Sequence, residues 1–75
     1  MIKDIEGFNH DMLTYGYKKG VDYKILENTE STIILELTNI DPFEDFVTIH
    51  ELIHDFDKKA MYEASFIKMT VKWEK

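Results

Sequence analysis

Cysteine and arginine are both missing from this 75-residue chain, and it has only three glycines and one proline. Without cysteine there are no disulfides and no thiolate metal sites. Without arginine the chain lacks the side chain that reads phosphate and guanine through paired hydrogen bonds. Together with a formal net charge of −6, that argues against direct binding of nucleic acid. No apolar run approaches the roughly 20 residues that span a bilayer, so no membrane partner is expected. Met1-Ile2-Lys3-Asp4-Ile5-Glu6 lacks the basic-then-apolar layout of a signal peptide, and the expected location is the cytoplasm. The glycines Gly7, Gly16 and Gly20 stand apart and form no phosphate-cradling loop. No cofactor is implied.

The chain does have aromatic bulk. Five Phe, four Tyr and one Trp give each buried position a large apolar area, which a single small domain without covalent staples needs. Glutamine is also absent, while Ile, Lys, Asp, Glu, Asn, Phe and Tyr are plentiful. That usage follows AT-rich codons and suggests a bacterial or phage genome of that kind.

Periodicity orders the elements as α-β-β-α-β. Ile2, Ile5, Phe8, Met12 and Tyr15 fall at helical spacing, predicting a helix over residues 2–16, with Lys18-Lys19-Gly20 as its basic, glycine-closed end. Val21, Tyr23 and Ile25 alternate with polar residues, and so do Ile33, Leu35 and Leu37. The two strands flank the turn-forming Asn28-Thr29-Glu30-Ser31 and predict a hairpin. Asp41-Pro42-Phe43-Glu44 has the layout of a helix start, with a capping Asp, Pro at the first position and Glu at the third. The second helix should then run to about Asp57. Ile67, Met69, Val71 and Trp73 alternate as a last strand, and residues 60–65 suit either a helix or a strand. The expected fold is a single α+β domain: a three-stranded, mostly antiparallel sheet with two helices packed on one face. The expected core is Ile5, Phe8, Met12, Val21, Tyr23, Ile25, Ile33, Leu35, Leu37, Phe46, Ile49, Ile53, Phe56, Met69, Val71 and Trp73.

Charge is segregated along the chain. Between Lys24 and Lys58 there are nine acids, Glu27, Glu30, Glu36, Asp41, Glu44, Asp45, Glu51, Asp55 and Asp57, and no lysine. At about 100° per residue, Asp41, Glu44, Asp45, Thr48, Glu51 and Asp55 fall on one side of the second helix. Phe43, Phe46, Val47, Ile49, Ile53 and Phe56 lie broadly opposite. An ordinary solvated face intersperses lysines to relieve i,i+4 repulsion, and here none appear. Acids at this pitch imitate the charge density of a nucleic-acid backbone and would be drawn to a basic DNA-binding surface.

His50-Glu51-Leu52-Ile53-His54 matches H-E-x-x-H and resembles the zinc-binding helix of the zincin metallopeptidases. That resemblance implies His50 and His54 as zinc ligands and Glu51 as the general base. It covers about ten of the 75 residues. The family's longer pattern does not continue, since Asp57 and Ala60 occupy its downstream glycine and histidine positions. The competing reading makes both histidines structural, at the margin of the apolar face.

In size, acidity and composition the chain resembles small phage-encoded inhibitors of host proteins, including DNA mimics that block restriction enzymes, uracil-DNA glycosylase, CRISPR effectors or the replication sliding clamp. The resemblance implies a non-enzymatic inhibitor whose ridge of Asp41, Glu44, Asp45, Glu51 and Asp55 occupies the basic DNA path of a host protein. The alternatives are a minimal zinc peptidase using His50, Glu51 and His54, and a small regulatory subunit that forms a homodimer.

Overall fold

A computed structural model describes residues 1–57, 63–67 and 69–74. The first helix, α1 (Ile5–Thr14), is shorter than its periodicity suggests because Asp4 caps it, its carboxylate accepting the Gly7 N–H at 3.0 Å. A β-carbon at position 7 would collide with that carboxylate, so the capping geometry accounts for a glycine inside the first turn. Ile2 lies outside the helix yet is buried. The helix ends at Gly16, not in the Lys18-Lys19-Gly20 turn. Gly16 has φ +92°, and the Gly16 and Tyr17 N–H groups donate to Leu13 and Met12 carbonyls at 2.9 Å each. This paired closure of the last turn needs a left-handed residue.

Strands β1 (Tyr23–Asn28) and β2 (Thr32–Leu37) form the expected antiparallel hairpin. The register shifts between Ile25 and Glu27, leaving Leu26 as an extra, bulged residue. Beyond the bulge the two faces of β1 exchange, because side-chain direction alternates with strict period two. Val21 precedes β1 and is exposed, so it is not in the core as expected.

The Asp41 carboxylate does cap, accepting the N–H groups of Phe43 at 2.9 Å and Glu44 at 3.3 Å. It caps a separate turn, however, and α2 (Phe46–Phe56) starts one turn later than expected. Asp45 takes the N-cap position of α2 without capping it through its side chain.

The chain's last section holds two strands where one is expected, β3 (Glu63–Ile67) and β4 (Thr70–Glu74), paired antiparallel. The described part of residues 60–65 is therefore strand, and residues 60–62 lie outside the described residues. The Ile67–Thr70 pairing shows that the chain reverses between those two residues, so the apparent run of alternation spans a change of direction. Ile67 faces away from Val71, and Ile67 and Met69 are exposed while Val71 and Trp73 are buried. Neither residue 68 nor 69 is a Gly or Asn, so the usual two-residue hairpin signal is absent.

The four described strands form one antiparallel sheet in the order β1-β2-β4-β3. Tyr23, Ile33, Leu35, Leu37, Val71 and Trp73 line one face and join Phe8 and Met12 of α1 with Ile49, Leu52 and Ile53 of α2 in a single buried cluster. The fold is α+β, with both helices on that face. Ile40 and Leu52 are core residues that periodicity does not single out. The opposite face carries Lys24, Glu36, Thr70, Ile34 and Lys72 in register. No helix among the described residues is long and apolar enough to cross a membrane.

Candidate functional site: the outward side of the second helix

The later start of α2 changes the ridge. Asp41 and Glu44 belong to the preceding turn, and only Glu51 and Asp55 lie within the helix, one turn apart. All four are exposed. Asp45 is turned inward and accepts the Tyr17 hydroxyl at 2.8 Å. Burial first, and then the Asp45 carboxylate, push the Tyr17 hydroxyl up to about 12. That bond sets the C-terminal side of α1, next to Lys18 and Lys19, against the start of α2. The charge segregation of the sequence is thus partly closed up in space at this end.

Val47, expected like Phe43 on the apolar side, is 61% exposed. It stands between the Phe43 turn and Glu51, where the wheel turns outward. The outward surface is therefore mixed: Glu44, Glu51 and Asp55 with Val47 and the 78% exposed Phe43.

A continuous run of rings leads from this surface into the core. Phe43 stacks on Phe66 of β3 (centroids 5.4 Å apart), and Phe66 meets Phe46 edge-on at 5.0 Å. Phe46 lies parallel to the Trp73 indole at 6.0 Å and stacks on His50 at 5.1 Å. The Phe43–Phe66 pairing has no signal in the sequence, since it depends on the β3–β4 reversal.

His50 and His54 sit side by side on α2, ring centroids 4.3 Å apart, at the boundary between buried and exposed helix faces. The Trp73 indole N–H donates to His50 Nδ1 at 3.0 Å, which leaves the ring proton on Nε2 and commits Nδ1 to the core. His54 Nε2 is buried and has no hydrogen-bond partner among the described residues. Glu51 points outward, and no group of three or more His, Cys, Asp or Glu able to hold a metal occurs among the described residues. Catalytic zinc requires three protein ligands and an open position. Helix α2 offers two histidines, one already engaged by Trp73, so the described residues do not fit a zincin centre. A surface depression of about 270 Å³ lies elsewhere, lined by Glu36, Leu37, Thr38 and Met69.

His50 has a pH consequence. Burial lowers its pKa from 6.5, the neighbouring His54 lowers it further, and Glu51 opposes both. Protonation would also place a second donor against the Trp73 N–H. The unfolded chain therefore binds the proton more readily than the folded one, and stability rises with pH in this window. The His50 contribution is complete above pH 6.5 and is lost as pH falls below it. Urea denaturation is expected to show the midpoint dropping between neutral and mildly acid pH, with a flatter profile for His50→Gln. A wild-type midpoint that stays constant through this range would contradict the role assigned to His50.

No family model matches the chain, and neither the curated proteins nor the solved structures compared with it give a match.

Proposed function

We propose that the protein is a non-enzymatic acidic binding protein of the phage-inhibitor type, which occupies the basic DNA-binding surface of a host replication, repair or defence protein. One observation carries this reading: a stretch with nine acids and no lysine whose Asp41 and Glu44, in the turn before α2, and Glu51 and Asp55, one turn apart on α2, are all exposed. Such a surface produces a long-range negative field that steers it toward basic clefts. The lack of arginine and the acidic balance speak against direct nucleic-acid contact. Tying His50 to Trp73 makes the histidine pair part of the packing that holds α2 on the sheet.

The test is capture of a partner from bacterial lysate at low and high salt, followed by competition with duplex DNA. The wild type is expected to recover a DNA-handling protein that DNA displaces and high salt releases. Glu44→Gln/Glu51→Gln/Asp55→Asn should abolish recovery while leaving the fold unchanged, because all three side chains are exposed. Full affinity in the triple variant, or a captured protein indifferent to DNA, would sink the proposal.

A further inference from the structure

Strand β3 is an edge of the sheet, and no other strand among the described residues pairs with its outer side. An edge exposes a row of backbone donors and acceptors, and natural sheets usually guard it with lysine, proline or a bulge. The described β3, Glu-Ala-Ser-Phe-Ile, has none of these. The Phe43 ring lies beside the edge, stacked on one side against the 38% exposed Phe66 and otherwise 78% exposed. It is held by a run of rings ending at the fully buried Trp73. An exposed ring already fixed in place loses little conformational freedom on binding, which is how interface anchors gain their effect.

Charge selects the occupant. Glu63 pairs directly with Glu74 across the hairpin, placing like charges opposite one another; Lys72 offsets Glu74, while no cation among the described residues forms an ion pair with Glu63. With Ala64 and Ser65 these two acids line a depression of about 140 Å³. Asp41 and Glu44 flank Phe43 closely in the chain, and Glu51 lies one helical turn beyond Val47. A second copy would bring this acidic surface against itself in a two-fold pairing, which like charges oppose. We propose that β3 takes up an extended, basic segment of a protein partner as a fifth strand. Its inward side chains would be apolar, covering Phe43 and Phe66, and its outward ones basic, facing Glu63. This is strand addition: the backbone ladder supplies affinity and alternate side chains supply specificity. The inference rests on the acidic-binding reading for the partner's charge and adds a recognition element that DNA itself would not use.

Four capped peptides of equal length serve as probes: alternating Val/Lys, Val/Ser and Val/Glu, and Val/Lys with every second backbone nitrogen methylated on the ladder side. Titration calorimetry is expected to show binding of the Val/Lys peptide to the full chain, and no binding of the Val/Glu or methylated peptides. Phe43→Ser should weaken Val/Lys binding by roughly tenfold or more. Its fold, checked by an amide spectrum, should persist because Phe43 is exposed. Equal binding of the methylated peptide would overturn strand addition while leaving the ridge reading standing. Equal binding of Val/Ser would overturn the basic partner and count against the ridge reading too. A concentration-dependent dimer that excludes the peptide and is lost in Phe43→Ser would make a second copy the occupant and overturn the inference.

Discussion

Replacing Trp73 with alanine is expected to remove a large part of the protein's stability. Trp73 is fully buried, stacks parallel to Phe46 and donates its indole N–H to His50. Large-to-small changes of this kind cost about 3–5 kcal/mol. A chain of 75 residues, at roughly 0.05–0.15 kcal/mol per residue, has about 4–11 kcal/mol in total. The loss is thus comparable to the whole stability if the domain sits at the low end. Trp73→Phe separates the contributions: it keeps a ring against Phe46 but removes the donor and part of the volume, and about 1–2 kcal/mol of loss is expected. In Trp73→Phe the acid-side slope assigned to His50 should also shrink, because no indole remains to oppose protonation. Far-ultraviolet circular dichroism against urea reads both variants. An alanine variant as resistant to urea as the wild type would show that the helix–sheet core does not depend on Trp73.

The elements with continuous periodicity were the legible ones. Ile33, Leu35 and Leu37 alternate within a single straight strand, and all three are buried. Phe8 and Met12 recur at i and i+4 and meet the sheet together. What failed was any inference that carried a period across a local break. Ile67 and Met69 continue the rhythm of Val71 and Trp73 in the sequence, but the chain reverses between Ile67 and Thr70. Asp41-Pro42 has the chemistry of a helix start, and its carboxylate does cap, yet the helix begins only at Phe46. Tyr17 takes up the Asp45 carboxylate, and no local pattern announces a bond between residues so far apart. The same limit applies to the site. The acids were countable in the sequence, whereas the exposed Val47 and the Phe43–Phe66 stack depend on the α2 onset and on a strand pairing that only the fold reveals.

Asn28→Ala is expected to cost about 2–3 kcal/mol, a large effect for a single polar side chain. Extrapolating the alternation of Tyr23 and Ile25 would turn Glu27 inward and Asn28 outward. The bulge at Leu26 reverses this, so Asn28 faces the helices opposite Ile33. There its Oδ1 accepts the Ile2 N–H at 2.9 Å and its Nδ2 donates to the Ile2 carbonyl at 2.8 Å. One amide thereby satisfies both backbone groups of a residue whose side chain is buried and ties the segment before α1 to the end of β1. Alanine leaves a donor and an acceptor without partners in a partly buried place, each costing about 1–3 kcal/mol less whatever water restores. Asn28→Asp is the sharper variant: it keeps the acceptor but sets a carboxylate oxygen against the Ile2 carbonyl, so its loss should equal or exceed that of alanine. The check is urea denaturation of both variants, with a lower midpoint and an unchanged slope marking a loss of native stability. A midpoint unchanged in both would mean that the bulge does not anchor the N-terminal segment through Asn28.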